Sequence, residues 1–158
     1  MIIRIALVAL LQLALVPLAV LPQLSARLTG DTYLMRVAPV DPIDPFRGAY
    51  VDLSYPDLRT RDMSNPPSLE DGESGAVYAT LVEEDGYWVL DEYTRPRPEQ
   101  GPYLACDDRD WAIRCGIESW FASQADATRL EDAVADGAVA TIRIDSRGNA
   151  AIIDLQAR

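Results

Sequence analysis

The chain has no histidine and no lysine in 158 residues, and only two cysteines. Without imidazole a serine or cysteine nucleophile lacks its usual base, and without a lysine amine neither a Ser-Lys dyad nor a Schiff base can form. Zinc held by imidazoles is excluded, and two cysteines nine positions apart make a poor thiolate site. Glycine-rich fingerprints for nucleotide phosphates are missing too. What remains is mainly carboxylate chemistry, and no cofactor or metal is expected. Positive charge is also scarce. After Leu24 there are 13 arginines against 25 carboxylates, a net charge of −12. Such a body repels phosphate backbones and anionic headgroups, which argues against nucleic acid as a partner and against membrane-surface binding by this part. A solubilising acidic surface explains the charge most simply.

The first feature present is a long apolar run. Ile5 to Leu24 carries no charge and only Gln12 and Gln23 as strongly polar residues. Twenty residues at helical rise span roughly 30 Å, about the hydrocarbon thickness of a bilayer. Pro17 and Pro22 fall in its second half, where a kink or an early helix end is tolerated if the freed groups find partners. The expected organisation is an N-terminal membrane anchor over residues 1–27 and one β-rich domain over 28–158. An uncleaved signal-anchor is favoured over a cleaved leader. The run exceeds the roughly 7–15 apolar residues of a signal peptide, and a cut after Ala26 would put Leu24 where a small residue is needed.

Basic residues give little orientation signal, with Arg4 on one side and Arg27 and Arg36 on the other. The cysteines say more. A turn between Asp110 and Trp111 would place Cys106 and Cys115 opposite each other on a hairpin, close enough to bridge in a non-hydrogen-bonded site. A disulfide implies an oxidising compartment and a body outside the cytoplasm. Two unpaired buried thiols are the alternative.

Thr32 to Val40 reads as a first strand. Ala49 to Tyr55 reads as a second, with Val51, Leu53 and Tyr55 on one face and Tyr50, Asp52 and Ser54 on the other. Residues 56–75 have the composition of a mobile loop. Ala76 to Glu83 and Tyr87 to Glu92 flank Glu84-Asp85-Gly86, the strongest short-range hairpin signal in the chain. Thr94 to Pro102, with three prolines, is a connector. Tyr103 to Cys106 and Trp111 to Trp120 are expected to form the cysteine hairpin. A helix is predicted from a cap at Ser123 to Gly137, with Asp126 in its first turn and Ala127, Leu130, Ala133 and Val134 on one face. The last hairpin joins Ala138 to Asp145 with Ala150 to Leu155, its apolar face carrying Ala140, Ile142 and Ile144. The fold class is α+β, mostly antiparallel β, with seven or eight short strands and a single C-terminal-half helix behind an N-terminal transmembrane helix. A curled sheet, a small barrel and a sandwich all remain open.

Residues 36–55 join a stiff corner, built on Pro39, Pro42 and Pro45, to the strand that Gly48 opens. This segment resembles the signature of the GDYXXLXY family, matching at Gly48, Tyr50, Leu53 and Tyr55 and departing at Ala49, which replaces the namesake acid. The resemblance extends from the apolar N-terminus through Arg36–Asp44 to Gly116-Ile-Glu-Ser-Trp-Phe121 and Leu130-Glu131. It implies a membrane-anchored bacterial protein of unknown function; taken with the apolar run and the cysteines, the expectation is a single-pass inner-membrane protein with its body on the periplasmic side. Members often accompany polytopic membrane proteins, so it also implies a membrane partner. No activity transfers with it.

Asp41 and Asp44 flank Pro42-Ile43, with Arg36 and Arg47 near enough in sequence to pair with them. Two carboxylates on a stiff corner could bind a cation or divide acid and base roles, while turn capping and arginine pairing explain them more plainly. Asp107, Asp108 and Asp110 crowd the proposed hairpin tip, but their spacing is not that of an EF-hand. Glu118 beside Trp120 is a general-acid candidate if desolvated, while hydrogen bonds from a neighbouring strand or pairing with an arginine explain it more plainly. Glu131 reads as a helix-surface acid. Tyr55 belongs with the core, and Tyr50 could cover the proline corner. The binding candidates are therefore Asp41, Asp44, Arg47, Tyr50 and Glu118, with no catalytic residue assigned.

The expected function is a non-enzymatic interaction module for an envelope or membrane protein. A hydrolase of an envelope glycan using two of Asp41, Asp44 and Glu118 is the alternative from a different class. Binding of a metal or small ligand at the acidic tip or corner is a third.

Overall fold

The computed structural model describes residues 2–39, 50–59, 74–109, 112–121 and 137–157. The predicted helix from Ser123 and the aspartate corner at 41–44, with Arg47 and Gly48, lie outside these residues. Helix α1 covers Ile2–Thr29 and runs through Pro17 and Pro22 without ending at either. It stops where Gly30 N–H reaches back to the Ala26 carbonyl and the Thr29 hydroxyl to that of Ser25. Among the described residues no helix is long and apolar enough to cross a membrane. The side chains of Leu7, Val8, Leu11 and Val16, within α1, are not among those described.

One residue after the helix, strand β1 (Asp31–Pro39) begins. It pairs antiparallel with β2 (Tyr50–Ser54) on one side and with β7 (Ala138–Ile144) on the other. β6 (Ser119–Phe121) and β8 (Ala150–Ala157) complete a five-stranded sheet in the order β6-β2-β1-β7-β8. The second sheet has the order β4-β3-β5, from β3 (Ala76–Glu84), β4 (Tyr87–Thr94) and β5 (Tyr103–Asp107). Met35, Leu53, Ile142 and Ile152 of the first sheet and Val77, Leu81 and Leu104 of the second share one buried core. A fully buried aliphatic side chain such as Ile142 contributes roughly 1.5–3 kcal/mol relative to exposure.

The hairpins follow their local signals. At the β3–β4 turn Asp85 and Gly86 both have positive φ, 52° and 82°, the tight turn whose twist suits paired strands. On β7, Ala138, Ala140, Ile142 and Ile144 are buried while Val139, Thr141 and Arg143 are not, the alternation of a sheet with one face on the core. β3 and β4 lose register between Ala79 and Leu81, and there the Thr80 hydroxyl accepts from the Glu92 N–H at 3.1 Å. Most of the loop expected at 56–75 lies outside the described residues, but its start is a single 3-10 turn, Pro56–Leu58, with Leu58 in the core.

The cysteine hairpin departs from expectation. Cys106 and Cys115 are disulfide-bonded, with Cα atoms 4.0 Å apart. Asp107 and Arg114 exchange both backbone hydrogen bonds, so the cysteines occupy the neighbouring non-hydrogen-bonded site. Yet residues 112–120 do not continue as one strand. That bridge is isolated, Gly116 takes φ 79°, and Ser119–Phe121 pairs with β2 instead of β5. Alternation over a strand length cannot register a left-handed residue that redirects the chain midway.

Candidate functional site

Two of the family-like segments, 50–55 and 116–121, meet in space. Val51 sits opposite Trp120 and Asp52 opposite Ser119 in the β2–β6 ladder, and the Leu53 N–H donates to the Glu118 carbonyl at 2.8 Å. Leu53 and Tyr55 enter the core, and the Tyr55 hydroxyl donates to the Ile117 carbonyl at 2.9 Å. Tyr50 lies on the β2 backbone opposite Phe121, and its side chain is outside the described residues. Tyr93 crosses from the other sheet to donate to the Leu58 carbonyl at 2.8 Å. Burial first, and the negative charge of Glu118 second, push the Tyr55 hydroxyl far above the ordinary phenol range and Tyr93 up to about 12. Both stay protonated at any physiological pH.

Glu118 itself accepts from the backbone N–H groups of Cys115 and Gly116, the latter at 3.0 Å to Oε2. Its carboxylate fastens the turn that follows the disulfide, accepting from its own chain two and three residues back instead of from a neighbouring strand. Three other acids, Asp57, Asp108 and Asp107, are engaged as well. Arg36 forms a two-point pair with Asp57, at 2.6 and 3.1 Å, and its guanidinium lies 5.2 Å from the centre of the Tyr87 ring. Its partner is thus on the turn after β2; the corner aspartates are not described. Asp108 turns back to accept from the Gly75 N–H and pairs with Arg95 at 2.8 Å. The Gly75 hydrogen bond, followed by that from Arg95, holds its carboxyl below the usual range. Asp107 accepts from the Arg109 N–H and faces that guanidinium at 3.6 Å, and Asp110 lies outside the described residues. Among the described residues no group of three or more potential ligands could hold a metal ion.

A second constellation, absent from the sequence expectations, sits where helix meets body. Asp145, only 6% exposed, begins the β7–β8 turn. Its carboxylate accepts from the N–H groups of Arg147 and Asn149, from the Asn149 amide, and from the Ser25 hydroxyl of α1 at 2.6 Å. Burial alone would raise its pKa, but these bonds, with Ser25 and Asn149 foremost, leave it lowered. Arg143 donates to the Gly30 carbonyl at 2.9 Å and to that of Arg27, and Arg27 donates to the Ile152 carbonyl. A Cβ on Gly30 would stand 2.5 Å from the Ala26 carbonyl oxygen and 2.8 Å from the Ile144 backbone. Only glycine allows so close a junction.

The same turn locks onto the second sheet. Gly148, at φ 81°, accepts from the Ala105 N–H at 2.9 Å and covers the outer edge of β5. The Ser146 carbonyl accepts from the Tyr103 hydroxyl and from Arg97, whose Nε also donates to that hydroxyl at 2.6 Å. One available sequence signal was the Asp-Ser-Arg-Gly-Asn run, in which an aspartate can cap its own turn. Nothing local could have indicated Ser25.

A family model described as GDYXXLXY protein matches residues 12–155, nearly the whole chain. No curated protein and no solved structure matches it.

Proposed function

The chain belongs to the GDYXXLXY family, and we propose that it is a single-pass membrane protein whose body stands on the extracytoplasmic face and contacts another membrane or envelope protein without catalysis. The observation that carries this reading is α1. Every described residue from Arg4 to Leu24 is exposed, including Leu10 at 69% and Leu13 at 74%. An apolar surface of that extent calls for a bilayer or a partner to cover it. Residues 2–24, the part beyond the body, would span roughly 34 Å as a helix, a close match to a bilayer.

The disulfide supports an oxidising compartment. Glu118, Asp108 and Asp145 are each occupied in fastening backbone, which favours a binding role over acid–base work.

Crosslinking in cells followed by purification of the full chain in mild detergent tests the reading. Recovery with one recurrent membrane protein is expected. Consistent recovery as an isolated monomer without crosslinked partner would refute it. A membrane-impermeant thiol reagent, applied to intact cells after reduction, should label Cys106 and Cys115 if the body is outside.

A further inference from the structure

Net charge averages over a surface, and this body is not uniform. Four arginines gather around the root of α1. Arg27 lies in its last turn, Arg143 donates to the Arg27 and Gly30 carbonyls, Arg147 follows the Asp145 that holds Ser25, and Arg97 donates to the Ser146 carbonyl. Arg27, Arg97 and Arg147 are exposed. Exposed acids lie nearby as well, Asp31 beside the junction, Glu99 two residues from Arg97 and Asp154 two residues from the Ile152 that Arg27 reaches, while the Asp145 carboxylate is buried and spent on hydrogen bonds. A chain with 25 acids and 14 bases nonetheless gathers four of its arginines around the base of its own apolar helix.

We infer that this collar binds the phosphodiester headgroups of the leaflet into which α1 enters, seating the body directly on an anionic lipid surface in one fixed orientation. The inference rests on the anchor reading above. Two features support it beyond charge complementarity. α1 passes into β1 through Gly30 alone, so no linker lifts the body from the bilayer. The helix meets the body from Ser25 onward, so with residues up to Leu24 in the hydrocarbon the arginines fall at headgroup depth. Guanidinium groups suit phosphate oxygens in geometry and charge, and basic residues close to an anionic leaflet are attracted within a Debye length. The expectation that the acidic body avoids headgroups concerns its average charge, and the collar is a local exception to it.

Solid-state NMR on the full chain, with arginine carbons labelled and reconstituted in phosphatidylglycerol–phosphatidylcholine membranes, tests this through dephasing of guanidinium carbons by lipid phosphorus. Dephasing is expected, with most of it lost in an Arg27→Gln/Arg147→Gln protein. Arg147→Gln alone keeps the backbone N–H that caps Asp145, so a partial loss should appear in a folded body. Acyl-chain contacts of α1, measured in the same samples, report insertion separately. Absence of dephasing while the helix is inserted would overturn the collar and leave the anchor intact; absence of insertion would overturn both. Equal dephasing in phosphatidylcholine alone would overturn the anionic preference.

Discussion

The Ser25 hydroxyl donates to the Asp145 carboxylate at 2.6 Å across 120 residues of chain. Through that bond the helix, the β7–β8 turn and, by way of Gly148 and Ser146, the second sheet share one fastening point. The helix is therefore continuous with the body, and whatever orients one orients the other.

Asp145→Ala should destabilise the body by roughly 2–4 kcal/mol, because it strips acceptors from several buried donors at once. Ser25→Ala should cost about 1 kcal/mol, since the turn keeps its own hydrogen bonds. Denaturant unfolding of the full chain in detergent, followed by tryptophan fluorescence, measures both. Equal losses would mean that the carboxylate serves only the helix contact.

Stability should fall at both pH extremes and stay flat between them. Asp108 and Asp145 have depressed folded-state pKa values, so their contribution is complete above the unfolded value of about 3.9 and is lost as pH drops through the lower folded values. Tyr93, raised to about 12, contributes fully below the unfolded value of about 10 and loses that contribution as pH climbs through about 12. With no histidine present, unfolding midpoints between about pH 5 and 8 should coincide. A transition near pH 6.5 would contradict this assignment.

Gly148→Ala and Gly86→Ala separate crowding from backbone strain. Both positions have φ near 80°, but a Cβ at Gly148 would lie 2.6 Å from the Tyr103 ring and 2.8 Å from the Ala105 nitrogen, while Gly86 has nothing within 4 Å. Gly86→Ala should cost about 1 kcal/mol from the left-handed conformation alone, and Gly148→Ala about 2–4 kcal/mol. Thermal unfolding midpoints should rank them in that order.

Replacing both cysteines by alanine should lower stability by about 2–3 kcal/mol, the loop-closure contribution expected for a short loop. The Gly116 turn that Glu118 fastens should loosen with it. Hydrogen exchange at the Cys115 and Gly116 positions should rise severalfold over wild type. Unchanged exchange there would show that Glu118 holds the turn without the bridge.

Local periods and turn chemistry were sufficient for much of this architecture. The Asp85-Gly86 pair announced its hairpin, the β7 alternation named its buried face, and the half-way point between Cys106 and Cys115 predicted their pairing, because each depends on residues within one strand and turn. The redirection at Gly116, the alliance of Arg36 with Asp57, and the convergence of Ser25, Arg97, Ala105 and Asp145 on one turn were decided only by the tertiary structure. A hydrophobic period records that a side chain is buried, and a lone polar residue records that it needs a partner. Neither records which partner, since that choice is made by chain segments far apart in sequence that become neighbours only once the sheets have closed on their core.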